Sequence, residues 1–383
     1  MIVLHAGFDG LDVALKARPG PELVEFLEEA KAFAEEFRQD VATAFNGLRL
    51  SVGATGARGG YAYRFDTGPM GATWFAKKPK EKDPWGIRLS VKSRPLALLG
   101  LERVRADIDA ACHSLGLRYP ADGVSIGRVD FAVDILAPDF ALDPTGFVIH
   151  ARTNRKAHTD LMEMETNGPS GRYTSVTLGK MPGRQVILYD KREEVRKKRK
   201  PEWPLIWNEA LGRLGLPHLD LDDRATSTVW RAELRLGKDG LRQKHDIRGW
   251  GAFHDHLQGE MNRLADDVTY RLPGTDSNRS RWALHPIWQV AQRAVATQLF
   301  NHEVSVSPDS VRLLDLEQKR REYEAMIAGL AVPLGVLDGK DADGMAAVFE
   351  GLGKRIERTL RNGKRGLAAR VADARERYGE LLS

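Results

Sequence analysis

Tyr189 stands where a short apolar run meets charged residues, in the stretch "GRQVILYDKREEV". The run 186–188 is typical of a buried strand, and Asp190 and Lys191 open a charged segment directly after the tyrosine. Either the ring packs and the hydroxyl stays in solvent, or the tyrosine is a nucleophile. Because the unperturbed pKa of tyrosine is about 10, a nucleophile needs nearby positive charge, a base or a metal-polarised target. Lys191 and nearby arginines can supply the charge.

Two carboxylates share one face of another predicted strand, "RVDFAVDI". Successive side chains of a strand point to opposite faces, so Arg128, Asp130 and Asp134 lie together, away from the apolar positions. Residues four apart are separated by about 13 Å, so both aspartates can bind one ion only if the strand bends. A solvated sheet face is the simple interpretation. In the chemical interpretation, one aspartate binds a metal and the other orients arginines.

The stretch "VWRAELRL" repeats this pattern, with Glu233 between Arg231 and Arg235 on one face. An ordinary salt-bridge ladder also explains such a strand, and contributes little at a surface. Together, the three strands carry Asp, Glu and Tyr flanked by arginines. Carboxylates suit a hard divalent cation, Mg²⁺ or Mn²⁺. We therefore predict a metal site in which Glu233 is joined by Asp130 or Asp134.

The elements that must position these residues alternate between helices and groups of strands. We predict a first strand at 10–17, a helix at 21–45, three glycine-punctuated strands, and a second helix at about 95–115. A strand at 127–136, a hairpin across "KMPG" and a strand at 227–237 follow. This order predicts an α+β fold with an antiparallel sheet, helices on one face, and a duplication along the chain.

The chain changes character near Trp250 and is mainly helical from there. At 383 residues it exceeds one typical domain. We predict a sheet domain at 1–249 that carries the chemistry and a helical accessory domain at 250–383.

The bulk composition narrows the class of protein. The net charge of +5 is compatible with a nucleic-acid partner. The single cysteine, Cys112, excludes an intrachain disulfide and fits a reducing cytosol. The sequence has no signal peptide and no apolar run long enough for a membrane span, so we expect a cytoplasmic protein without a membrane partner.

Three stretches, in this order, resemble the replication initiation factor family: "GRVDFAVDIL", "VTLGKMPGRQVILYDKREEV" and "VWRAELRLGKDGLR". This family contains the Rep_trans-type initiators of rolling-circle plasmids and related relaxases of integrative elements and filamentous phages. The opening "GFDGLDVALK" is similar to the family's first strand, so the resemblance covers about residues 8–245. It implies a sheet-based nicking domain related to the HUH endonucleases, a divalent metal, and a tyrosine that becomes joined to a DNA 5′-phosphate.

The resemblance implies roles for single residues. Tyr189 is the expected nucleophile, assisted by Lys191, and its attack would leave a free 3′-hydroxyl that can prime replication. Many relatives carry a tyrosine where this chain has Thr177. If that tyrosine is the family's nucleophile, Tyr189 is structural here or Tyr173 substitutes. The basic residues expected to hold the phosphate backbone are Arg128, Lys180, Arg184, Arg196, Lys197, Lys198, Arg231 and Arg235.

Two other functions stay open from the sequence. The first is a non-catalytic protein that binds an origin or operator and has lost nicking, which the threonine at 177 favours. The second is a structural protein whose acids pair with arginines and leave no opening for a metal. For the enzyme, single-stranded or cruciform origin DNA is the expected substrate. The helical region could bind DNA, recruit a host helicase or form a homodimer.

Overall fold

The computed structural model describes residues 1–79, 83–150, 163–169, 171–301, 306–362 and 366–382. The chain forms two compact units, Met1–Ser307 and Pro308–Ser383. The predicted boundary at Trp250 falls inside the first unit. That the chemistry belongs to 1–249 and accessory roles to 250–383 stays a prediction.

The first unit is built on a large antiparallel sheet. Its strands are β1 (Ile2–Leu15), β2 (Val41–Phe45), β3 (Leu48–Val52), β4 (Tyr61–Asp66), β5 (Thr73–Lys77), β6 (Ile87–Val91), β7 (Val124–Leu136), β9 (Met164–Asn167), β10 (Ser175–Gly179), β11 (Arg184–Asp190) and β12 (Val229–Gly237). They lie in the order β2-β3-β4-β5-β6-β1-β7-β12-β11-β10-β9. A separate pair consists of β8 (Phe147–Ile149) and β13 (Val268–Tyr270).

The first unit contains eight α-helices among its described residues. They are α1 (Pro21–Phe37), α2 (Ser93–Ser114), α3 (Lys191–Lys198), α4 (Glu202–Arg213), α5 (Arg224–Ser227), α6 (Lys238–Arg242), α7 (Trp250–Asp267) and α8 (Pro286–Gln298). The second unit contains α9 (Pro308–Leu337), α10 (Met345–Arg361), α11 (Leu367–Arg377) and α12 (Gly379–Leu382). In the part of the chain that the structure describes, no helix is long and apolar enough to cross a membrane.

The strand order shows the predicted duplication. The long central strands β1 and β7 pair with each other along almost their whole length. In the first half, β1 also pairs with that half's last strand, β6; in the second half, β7 pairs with β12 in the same way. The predicted α+β fold with an antiparallel sheet is confirmed.

One face of the sheet is the apolar core. Phe8 and Phe131 meet edge to face, with ring centres 5.8 Å apart, and Phe253 of α7 packs on Phe8. Helix α7 buries Leu257, Met261 and Leu264 at a helical spacing on this face. Helices α1, α2 and α8 add buried side chains to the same cluster.

Among the described residues, two helices cover part of the opposite face, which we call the polar face. There, α3 and α4 pack over the centre of the sheet, and Trp207 of α4 donates a hydrogen bond to Asp134. Elsewhere the side chains of β4, β5 and β6 alternate between buried and half-buried positions. This alternation means that one side of these strands contacts the core and the other contacts solvent.

The helix predicted at 21–45 is wrong in its second part. Helix α1 ends at Phe37, Arg38 adopts a left-handed conformation (φ 52°), and β2 follows. Asn46 and Gly47 both have positive φ, 47° and 80°, as a two-residue hairpin turn into β3 requires. Residues 41–45 therefore form a hairpin strand and not the end of a helix, because Asn-Gly is a strong turn signal.

Fragments test whether the compact unit or the predicted boundary defines an independently folding domain. A fragment of residues 1–307 should unfold cooperatively, because it keeps the sheet together with α1, α2, α7 and α8, which bury side chains in its core. A fragment of residues 1–249 should lack cooperative unfolding, because it loses Phe253, Met261 and Trp288 from the core. Circular dichroism during heating distinguishes the two. Cooperative unfolding of 1–249 at the temperature of 1–307 would contradict this assignment of the core.

Candidate active site on the polar face

Arg231 on β12 is the centre of a buried ion-pair network. Its side chain is completely buried. Its Nε and Nη2 donate to the two carboxylate oxygens of Asp134, at 2.5 and 2.8 Å, and its Nη1 donates to Asp9, at 2.5 Å. The ring of Trp203 lies 4.1 Å from the guanidinium carbon. One arginine therefore links β12 to β7 and β1.

Asp134 is fully enclosed by this network. It lies directly opposite Arg231 in the β7–β12 register, and Trp207 donates to its Oδ2 at 2.9 Å. Burial would raise the pKa of Asp134, but the charge and hydrogen bonds of Arg231 outweigh burial and hold it below its usual range. Both oxygens are occupied, so the prediction that Asp134 is a metal ligand is not supported by its surroundings.

Asp9 is a member of the site that the sequence reasoning missed. The β1–β7 register shifts between Phe8 and Gly10, so Phe8 pairs with Phe131 and Gly10 with Asp130. The extra residue of this bulge is Asp9, which turns to the polar face and binds Arg231. A β-carbon at Gly10 would lie 2.6 Å from an oxygen of Asp130. Glycine is therefore the residue that fits.

Asp130 and Glu233 are neighbouring buried carboxylates, each bonded to an arginine. Arg128 donates to both oxygens of Asp130, at 2.9 and 2.5 Å. Arg235 donates to Glu233 at 2.7 Å and to Gln185 at 3.1 Å. Burial raises the pKa of Asp130 to about 6, and the nearby charge of Glu233 adds to this, while the hydrogen bond from Arg128 opposes it.

These carboxylates do not form the predicted metal site as they are arranged. In the described ranges, no group of three His, Cys, Asp or Glu side chains could hold a metal ion. Asp134 is enclosed, and Asp130 and Glu233 already bind arginines. The donor set thus fits guanidinium partners better than Mg²⁺ or Mn²⁺, and a divalent metal stays a prediction.

Tyr189 lies at the border between the covered and the open parts of the polar face. It is half-buried, opposite Arg231 on one neighbouring strand and Ser175 on the other. The Lys191 amine donates to its hydroxyl at 3.4 Å. Burial raises the pKa of Tyr189 well above 10; Arg231 opposes this, and the negative charge of Glu233 adds to it. The resting side chain is a neutral phenol.

The change from strand to helix explains why a tyrosine stands in this place. Asp190 caps α3 by accepting the backbone N–H of Glu193 at 2.9 Å. The strand therefore ends at Asp190, and the amine of the first helical residue, Lys191, lies 5.6 Å from the centre of the Tyr189 ring. Lys191 is itself buried, and it donates to Glu194 at 2.5 Å. A phenol thus lies beside a buried ammonium and opposite a buried guanidinium.

The predicted DNA-binding residues divide by exposure. Arg184 and Arg231 are buried, with Arg184 bonded to Asp267 at 3.0 Å, so this arrangement does not support a DNA contact for either, and that contact stays a prediction. The others remain partly or fully exposed: Arg128, Lys180, Arg196, Lys197, Lys198 and Arg235. Each of these six has an acidic partner within 4 Å.

The other two positions weighed from the sequence lie near β10. Tyr173, the alternative nucleophile, is 47% exposed and precedes that strand. Thr177 pairs with Ile187 of β11, two residues along the strand from the Ser175–Tyr189 pair. A tyrosine at 177 would therefore lie on the same face as Tyr189, one strand away.

The comparisons with known proteins found matches among solved structures alone. No family model matches the chain, and no curated protein is similar to it. Among solved structures, it resembles a rolling circle replication initiator protein from Geobacillus stearothermophilus, with 15% sequence identity and a TM-score of 0.41. The match covers 78% of this chain and 99% of the other.

Replacing Gly10 tests the close packing of the bulge. Gly10→Ala should lower the free energy of unfolding by about 1–3 kcal/mol, because its β-carbon overlaps the Asp130 carboxylate. Gly212→Ala in α4, where a β-carbon has nothing within 4 Å, is the matched control and should be neutral or slightly stabilising. Urea unfolding measures both. Equal stability of the two variants would show that β1 and β7 approach less closely.

Proposed function

We propose that this chain initiates rolling-circle replication by nicking one strand of DNA through tyrosine transesterification. The observation that carries the proposal is the position of the Tyr189 hydroxyl. It receives a hydrogen bond from Lys191 at 3.4 Å and stands opposite Arg231, at the edge of a face lined with half-exposed arginines. A phenol among cations, beside a cationic surface, suits attack on a phosphodiester. The ordered motifs at 127–136, 176–195 and 229–242 support the same function.

In the proposed reaction, the Tyr189 oxygen attacks the scissile phosphorus in line. The bond from phosphorus to the 3′-oxygen breaks, leaving a 5′-phosphotyrosine and, after protonation, a free 3′-hydroxyl. Because the phenol is neutral at rest, its proton must be transferred as the new bond forms. Glu233, Asp9 and Glu194 are carboxylates whose charges act on Tyr189, so they are the candidate acceptors. Attack of a 3′-hydroxyl on the phosphotyrosine reverses the reaction and rejoins the strand.

The cations near Tyr189 have separate tasks in this proposal. The Lys191 ammonium stabilises negative charge that develops on the phenolic oxygen. Further along the sheet, Arg235 lies four residues from Arg231 on β12, and Arg128 lies opposite Gly237 of the same strand. These two side chains, 25% and 33% exposed, can bind the phosphates of flanking nucleotides with the donors that Glu233 and Asp130 leave free. Arg231 is enclosed, so it acts on Tyr189 by its charge alone.

A specific observation also favours the non-catalytic alternative, a protein that binds an origin or operator. The acids of the polar face pair with arginines, and Tyr189 has a pKa well above its usual value. Such a face can bind DNA without cutting it. A recruited host helicase and a homodimer remain predictions; in the second unit, Leu330 and Leu337 are large apolar side chains at its surface.

A nicking assay decides between these functions. The protein is incubated with supercoiled DNA carrying its own gene and flanking sequence, with Mn²⁺ or with EDTA, and an SDS gel detects a covalent adduct. Wild type should relax the DNA and form an adduct, and Tyr189→Phe should abolish both. The EDTA arm decides the metal requirement.

The control for this assay is Tyr173→Phe, which should behave as wild type. Nicking that survives Tyr189→Phe and is lost in Tyr173→Phe would move the nucleophile to Tyr173. Salt-sensitive binding to the same DNA, without nicking, would establish the binding protein instead.

Replacing Lys191 tests the role of its ammonium. Lys191→Met should lower the nicking rate about 100-fold, because it removes the donor to the phenolic oxygen. Lys200→Met is the matched control, since Lys200 also bonds Glu194, at 2.8 Å, and is not among the predicted DNA contacts. Single-turnover nicking by both variants, under conditions where circular dichroism shows them folded, makes the comparison. Equal rates would exclude Lys191 from the chemistry.

A further inference from the structure

Two half-exposed aromatic rings lie on the open part of the polar face, each with a cation beside it. Tyr61 of β4 and Phe75 of β5 meet edge to face, with ring centres 6.0 Å apart. The Arg88 guanidinium carbon lies 5.4 Å from the centre of the Phe75 ring, and the Lys77 amine lies 4.9 Å from that of Tyr61. These residues lie outside the sequence motifs at 127–136, 176–195 and 229–242.

Strand alternation places these side chains on the solvent side of the first half of the sheet. Phe75 pairs with Arg88 on β6 and with Arg64 on β4. Their neighbours along the strands, such as Trp74 and Leu89, are buried in the core. The rings are therefore half-exposed beside arginines, although the core lies on the other side of the same strands.

A row of arginines continues from this cluster towards Tyr189. Arg88 pairs with Asp12, Arg128 with Asp130, and Arg235 with Glu233. The strands that carry the three arginines, β6, β7 and β12, are close together, with only β1 between β6 and β7. The distance across the sheet from β5 to β11 is about 24 Å, as five strand spacings require. The row thus spans several nucleotides of an extended strand.

Within each pair, the acid lies deeper than the arginine. The side chains of the acids Asp12, Asp130 and Glu233 are 22%, 3% and 2% exposed. Those of their arginine partners are 42%, 33% and 25% exposed. The carboxylates therefore hold the guanidinium groups in place from below, and the surface that solvent contacts is cationic. A guanidinium has five N–H donors, so each arginine keeps some for an outside acceptor.

From this arrangement we propose that the open face of β4, β5, β6, β7 and β12 binds single-stranded DNA. Tyr61 and Phe75 stack on bases, and Arg88, Arg128 and Arg235 contact phosphates along a path that ends at Tyr189. Arginines and exposed rings on one surface are the chemistry by which proteins bind single strands without reading their sequence. The proposal rests on the proposed function, because the path delivers the strand to Tyr189.

Fluorescence anisotropy with a labelled dT20 oligonucleotide tests this surface on the full-length chain in EDTA. Phe75→Leu should weaken binding about tenfold or more, because a stacking platform is lost. Arg88→Gln should weaken binding and make it less dependent on salt, because one phosphate contact is lost. The matched controls are Phe33→Leu on α1 and Arg103→Gln on α2, both strongly exposed, and these should bind as wild type. A 20-base-pair duplex should bind more weakly and be insensitive to Phe75→Leu.

A measurement on the wild-type protein avoids the risk that a variant fails to fold. Ultraviolet cross-linking of wild type to dT20, followed by peptide mass spectrometry, should place cross-links in peptides that contain Tyr61 or Phe75. Absence of dT20 binding by wild type, unchanged binding by folded Phe75→Leu and Arg88→Gln, or cross-links confined to other surfaces would each overturn the proposal.

The result can be separated from the test of the nicking function. If the two variants bind dT20 more weakly and wild type does not nick its own DNA, the binding surface is supported and the nicking activity is contradicted. If nicking requires Tyr189 and both variants bind dT20 as wild type does, the nicking activity is supported and the binding surface is contradicted.

Discussion

The burial of the Arg231 guanidinium is the constraint on which the polar face depends. A buried cation is costly unless it is paired and hydrogen-bonded, and this one meets that requirement through Asp134 of β7 and Asp9 of β1. The three central strands must therefore keep their register. The network also needs protection from water, which Trp203 and Trp207 of α4 provide. Removing one partner would leave a buried charge unpaired, so the network acts as one unit.

Helices α3 and α4 divide the polar face into a covered part and an open part. Tyr189 is at the division, because its strand partner is Arg231 and its helical neighbour is Lys191. On the closed side, charges are enclosed and act strongly through a medium of low polarity. On the open side, Arg128 and Arg235 keep contact with solvent. A reacting phosphate could therefore approach from one side while the phenol is held from the other.

The two-residue period of the strands was enough to predict much of the candidate site from the sequence. It placed Asp130, Asp134 and Glu233 on one face with their arginines, and the pairing of β11 with β12 sets Tyr189 opposite Arg231. The strand period could not predict which arginines are buried. Arg184 and Arg231 are enclosed by residues from distant parts of the chain, Asp267 and Trp203. The position of Asp9 on the polar face depends on a β-bulge, which a two-residue period does not predict. The one visible signal is the glycine after it.

The balance of charge explains why composition says so little about this surface. Lysine and arginine outnumber aspartate and glutamate by 58 to 53, an excess too small to indicate a cationic face. In the pairs of the open face, however, the acid lies beneath and the arginine above. Opposite charges in equal number thus produce a surface whose outermost groups are donors. A metal site would need the reverse order, with carboxylate oxygens pointing outward. The depth of each charge, and not the total, decides which ligand this face suits: an anion such as phosphate.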